Sequence, residues 1–257
     1  MGCAGKMADR FRLIYLKSTE LEESGFNKPV SSHDEKKMTV PPSSLAQFNI
    51  PETFSSEAIL RQAEADMKHP DPKVRILGIK YYIEKKYPSL SVSLLQKILS
   101  DSDPDVRAQA LRSLIQFRSP IVSPFFKKYL KDGSPKVRIA ALRGMFQYKE
   151  KIDLNLLLQF LSDESSWVRR KVATLLGWTQ MEGSLPILIE LARDPDSIVR
   201  KAALFSLTTL YPEESENRLI EAMADSDPDL RKWIKMTLEE IGNRSLKKRI
   251  TSFMNRI

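Results

Sequence analysis

Histidine, cysteine and glycine are scarce in this sequence of 257 residues: two His, one Cys and nine Gly. The lone cysteine, Cys3, cannot close an intramolecular disulfide and offers a metal no thiolate cluster. His33 and His69 lie far apart in sequence, so no metal and no other cofactor is expected. Few glycines argue against β-rich and dinucleotide-binding folds, which need them for tight turns and phosphate loops. No apolar run approaches the roughly 18 residues of a membrane-spanning helix. No Ser-His-Asp, Cys-His, Walker or dinucleotide signature is present, and the chain is read as non-enzymatic.

The cysteine usage fits a reducing cytoplasm, the expected compartment. The start, Met1-Gly2-Cys3, has the look of a lipidated N-terminus, but Lys6 stands where that pattern wants Ser or Thr. An ordinary free N-terminus is therefore expected. Net charge is +8. Residues 1–55 carry seven basic and seven acidic side chains and so are neutral. The excess lies in 56–257, and the last fourteen residues hold five cations (Arg244, Lys247, Lys248, Arg249 and Arg256) and no acid. Such a balance admits acidic protein, nucleic acid or anionic lipid as partner.

What the chain has is a repeat. Val74-Arg75, Val106-Arg107, Val137-Arg138, Val168-Arg169, Val199-Arg200 and Leu230-Arg231 place arginine at spacings of 32, 31, 31, 31 and 31. Six residues before the arginine stand Asp101, Asp132, Asp163, Asp194 and Asp225, with His69 in the first unit. Apolar columns lie twelve before it (Ala63, Leu95, Phe126, Leu157, Leu188, Leu219) and seven after it (Tyr82, Leu114, Met145, Leu176, Leu207, Leu238). Two helices per unit follow. The aspartate turns the chain, and Pro72, Pro104, Pro135 and Pro228 open second helices behind the capping residues Asp71, Asp103, Ser134 and Asp227. Positions −1, +3 and +7 from the arginine share one helical face, which only a neighbouring unit can bury.

Segments such as 101–107 (DSDPDVR) and 194–200 (DPDSIVR) resemble HEAT repeats, and more narrowly the short units named for phycobilisome lyases. The resemblance covers about residues 56–242. It implies an all-α solenoid of six two-helix units: 56–87, 88–118, 119–150, 151–181, 182–212 and 213–243. A capping helix over 244–257 completes a domain of 51–257, preceded by an arm over 1–50. The period of 31 is shorter than usual for HEAT units, and neither the TPR nor the ankyrin signature fits. In the arm, Phe11, Leu13, Ile14, Tyr15 and Leu16 form a short apolar patch, read as a locally ordered piece with partner binding as the alternative. Leu246, Ile250, Phe253 and Ile257 give the last helix an apolar face. Its basic face leaves peripheral membrane contact as a minor alternative.

Fold alone assigns no role. Deoxyhypusine hydroxylases resemble this architecture but bind iron through repeated His-Glu pairs, and this chain has none. Alkylpurine DNA glycosylases of HEAT-like units place tryptophans and an aspartate on the concave face. Trp167, Trp178 and Trp233 are present here, but the Trp-Trp-Asp run expected of that family is not. Trp178 and Trp233 read as packing residues, and Trp167 is the one to watch.

The recurring arginines Arg107, Arg138, Arg169, Arg200 and Arg231 are expected to pair with the turn aspartates Asp101, Asp132, Asp163, Asp194 and Asp225 of their own or the next unit. Positions +1 and +5 lie about 200° from core positions and are expected to face away from the core. By the resemblance, that face lines a concave groove. It would carry the cations Lys80, Arg112, Arg143, Arg170, Lys201 and Lys232, flanked by Ile76, Ile139, Phe205 and Met236. Cations beside apolar side chains suit a protein groove better than a phosphate channel. The leading expectation is a monomeric, non-enzymatic scaffold that binds an acidic or amphipathic protein segment. A nucleic-acid-binding protein of the glycosylase type is the alternative, and a chromophore lyase or chaperone subunit the further one.

Overall fold

The structure is a computed structural model that describes residues 56–84, 92, 95–117, 120–147, 154–241 and 249–252. The expected arm over 1–50, with Gly2, Cys3 and its apolar patch, lies outside the described residues. So do Leu246, Phe253 and Ile257 of the expected cap.

The described residues form helices in pairs, with no strand among them. The first unit is α1 (Ser56–Asp66) and α2 (Pro72–Glu84). A helical stretch at 95–98 and α3 (Pro104–Leu114) make the second. The third and fourth units are α4 (Ser123–Tyr129) with α5 (Pro135–Gln147), and α6 (Leu154–Leu158) with α7 (Ser166–Thr179). The fifth and sixth are α8 (Leu185–Leu191) with α9 (Ser197–Leu210), and α10 (Pro212–Glu221) with α11 (Pro228–Ile241). This is an all-α solenoid.

The four prolines named from the sequence each open a second helix. Proline there loses no hydrogen bond, because the first-turn amides have no intrahelical acceptor. Asp103 caps α3, its carboxylate accepting from the amides of Asp105 and Val106. Asp227 does the same for α11 through Asp229 and Leu230.

The apolar columns close into a continuous core. Leu95, Phe126, Leu157, Leu188 and Leu219 of the first helices are fully buried, as are Val106, Val137, Val168 and Val199 of the second. Each such side chain contributes on the order of 1.5–3 kcal/mol by leaving water. Second helices stack on second helices along the chain, α2 on α3, α3 on α5, α5 on α7 and α7 on α9. Two close approaches need glycine. A Cβ at Gly144 would lie 2.2 Å from the Phe126 ring, and one at Gly177 would lie 2.3 Å from Ser206 Oγ. Ser206 uses that approach to donate a 2.9 Å hydrogen bond to the Ala173 carbonyl, tying α9 to α7.

Candidate interaction surface

Two sets of side chains run from unit to unit: a ladder of arginines and aspartates, and a row of cations one and five residues beyond the ladder arginines.

The ladder joins each unit to the next. Arg107 binds Asp132 through Nε at 2.9 Å and a terminal nitrogen at 2.7 Å. Arg138 grips Asp163 at 2.8 and 2.7 Å, Arg169 grips Asp194 at 2.6 and 2.8 Å, and Arg200 grips Asp225 at 2.7 and 2.6 Å. Arg75 reaches Asp101 with one hydrogen bond, from a terminal nitrogen at 2.8 Å, and an ion-pair approach of Nε at 2.8 Å that is not aligned as a hydrogen bond. Of the two partners left open by the sequence, the carboxylate is therefore the next unit's. The arginine's own turn supplies carbonyls instead: Arg107 also donates to the carbonyls of Asp101 and Ser102, and Arg200 to those of Asp194 and Pro195. The aspartate is likewise used twice. Asp132 accepts from the Ser134 amide and Asp194 from the Asp196 amide, so the rung and the turn share one carboxylate.

Burial alone would raise the Asp132 carboxyl. The Arg107 hydrogen bond, the Ser134 amide and the nearby arginine charges outweigh it and hold the group below the ordinary carboxylate range. Asp225 is held low by the same balance, with Arg200 as its partner. Hydrogen bonding to these aspartates raises the guanidinium groups of Arg107, Arg138, Arg169 and Arg200 still further.

Arg231 differs. It donates to the carbonyls of Asp225 and Ser226 like its predecessors, at 2.6 and 3.0 Å. Its side chain is exposed, and no carboxylate partner stands against it among the described residues.

The predicted row of cations is only partly a surface. Lys80, Arg112, Arg143 and Lys232 are exposed, as is Met236 at 56%. Lys201, Ile76 and Ile139 are half-buried. Arg170 and Phe205 depart from the expectation: they are 7% and 8% exposed. Thr174 at +5 and Ala108 at +1 are buried as well. A second helix packed on one side alone would leave the +1 and +5 positions open, whereas stacking gives it a neighbour on each flank and leaves a narrower open strip. In α7 and α9 the Gly177–Ser206 approach narrows it further. Arg170 instead lies over the Trp167 ring, 5.2 Å from its centroid, and Lys171 lies 5.8 Å from that of Trp178. Two of the three tryptophans thus serve as faces for buried cations. The signal for this was available: Trp167 and Arg170 stand three apart, and Lys171 and Trp178 seven apart, in one amphipathic helix.

On the turn side, a groove of about 760 Å³ runs past Glu164, Arg169, Asp196, Arg200, Asp227 and Asp229. Asp196 and Asp227 there are helix caps and Asp229 is a first-turn residue, while Glu164 precedes the cap of α7. Among the described residues no three His, Cys, Asp or Glu converge as a metal site would, and no helix is long and apolar enough to cross a membrane.

The solved complex of CpcE and CpcF of phycocyanin lyase from Nostoc sp. PCC7120 is similar to this chain at 18% identity and a TM-score of 0.49, covering 82% of this chain and 98% of that one. No curated protein matches the chain. The model of HEAT repeats matches residues 60–141, 122–208 and 186–255, and with its six arginine-marked helix pairs the chain belongs to the HEAT-repeat family.

Proposed function

We propose that the protein is a non-catalytic interaction scaffold whose second helices hold an acidic or amphipathic protein segment along units one to three. The observation that carries this reading is the exposure of Lys80, Arg112 and Arg143 at the same position of three successive second helices. Stacked helices stand about 8–10 Å apart, so three such cations form a line rather than a cluster. A line of that pitch suits an extended or helical segment with spaced acids. Half-buried Ile76 and Ile139 lie one turn before Lys80 and Arg143 and supply apolar contact beside the charge.

A phosphate-binding channel would favour cations without apolar neighbours and would weaken steeply with salt. The test is K80E/R112E/R143E in the full chain, compared with wild type in quantitative crosslinking followed by mass spectrometry. Loss of the crosslinked partners with the helical signal intact is the expected result. Retention of every partner sinks the reading. Duplex-DNA titration at low salt separates the nucleic-acid alternative, which predicts tight, salt-sensitive binding abolished by the same triple change.

A further inference from the structure

The ladder ends open. In five units the side of the arginine bearing Nε and one terminal nitrogen closes on a carboxylate at 2.6–2.9 Å. Arg231 is anchored in the same posture by its other terminal nitrogen. Its fork is thus held in place and its carboxylate is missing. The chain cannot supply one at the usual distance: 25 residues on stands Arg256, a like charge.

The surroundings fit an end rather than an interior unit. Four residues after the ladder arginine, Leu111, Leu142, Ala173 and Leu204 are buried, and in the last unit exposed Lys235 takes that position. Beside it Lys232 is exposed too. Among the described residues, the last unit therefore presents a cationic face with one preset bidentate donor, where interior units bury an apolar side chain.

We infer that Arg231 docks the carboxylate of an aspartate-led turn on a partner protein, completing a sixth rung in trans. This site is separate from the row in units one to three and does not depend on it. Three features select the occupant. Each of the five other ladder forks takes a carboxylate. Asp227 and Asp229, close to Arg231 in sequence, disfavour a polyanion such as nucleic acid or a lipid surface more than a single carboxylate. A second copy stacked head to tail would offer its first unit, where His69 stands in the aspartate column and supplies no carboxylate.

The test uses the full chain, labelled with nitrogen-15, and a synthetic peptide of residues 101–106 (DSDPDV), this chain's own ladder turn. The Arg231 Nε–H resonance is assigned by its loss in R231Q. The expected result is a saturable shift of that resonance, about ten-fold weaker with the NSDPDV peptide. R231K, which lacks the resonance, is followed through the backbone amides around Asp225 and Ser226, whose carbonyls accept from Arg231. It should also bind about ten-fold more weakly, since a charged, bidentate contact is lost in each case. Circular dichroism of R231Q and R231K should match wild type. An unmoved Arg231 resonance overturns the inference, and so does an equal response to NSDPDV. A stronger response to inorganic phosphate or to vesicles of phosphatidylserine also overturns it, because the site would then be a general anion contact.

Discussion

Units three and four are built from the same repeat yet treat the same kind of side chain in opposite ways. In unit three, Arg143 projects into solvent and Ile139 is half-buried. In unit four, Arg170 is buried over Trp167, and Thr174, at the position of Arg143, is buried as well. The same rung forms in both, Arg138 to Asp163 and Arg169 to Asp194, with Glu164 an added contact of Arg138. What differs is what stands against the second helix: Gly177 admits Ser206 of α9 hard against α7, where it bonds to the Ala173 carbonyl. The motif fixes order and register, and the residues between its fixed points decide which cations reach the surface.

Four experiments would break or sharpen this contrast. The largest effect is expected from Arg169→Ala, which leaves Asp194 charged, buried and without its rung. Loss of one partner of a buried pair costs about 3–5 kcal/mol, and the thermal unfolding midpoint should fall by many degrees. Arg231→Ala, at the open end, should stay within about 0.5 kcal/mol. Equal losses for the two would mean that the rungs do not carry the stacking.

Gly177→Val comes next. Its side chain would collide with Ser206, including Cβ at 2.8 Å, and overpacking of this kind costs about 1–3 kcal/mol. If the close approach is what buries unit four, the variant should also raise the reactivity of Trp167 and Trp178 toward an indole-oxidising reagent.

Smaller again is the pair Arg170→Ala and Arg143→Ala. The buried arginine should cost about 1 kcal/mol through lost ring contact and packing, and the exposed one less than about 0.5 kcal/mol. Urea denaturation at neutral pH reads both, and reversed ranks would contradict the burial contrast. Acid should have the gentlest effect, because protonation removes a charge without deleting the hydrogen-bonding partner. The folded-state carboxyls of Asp132 and Asp225 are held below their ordinary value. Their contribution is therefore complete above the ordinary carboxylate pKa of about 3.9 and is lost as pH falls through the lower folded value. Urea midpoints measured downward from pH 6 should decline through that window, and Asp132→Asn should decline less steeply than wild type.

The architecture was legible because it is written in fixed offsets. An arginine every 31 residues, an aspartate six before it and a proline three before it each correspond to one repeated contact, so the pattern survives without coordinates. Even the ladder's partners were nearly readable; only the choice between own and next unit awaited the structure. The surface was less legible. Lys80, Arg112 and Arg143 lie in the open as the helical angle predicts, but Arg170 and Phe205 do not. Their burial depends on how near a neighbouring helix comes, and a pattern of single-helix angles holds no information about that distance. Gly177 was the available clue, since a glycine inside a helix of fourteen residues is costly unless something must approach it.

One irregularity in the repeat gains meaning from the ladder. The first arginine spacing is 32, not 31, and Arg75 meets its aspartate across 26 residues where the other rungs span 25. The rung nevertheless forms at the same length. Counting along the apolar columns places the extra residue between Tyr82 and Leu95, in the connection from one unit to the next. The ladder thus behaves as a clasp indifferent to the length of strap between its two halves. A peptide tag or a whole inserted domain placed in that connection should leave the stack intact. One residue added between an aspartate and its arginine would turn the helix by about 100° and unhook two units at once.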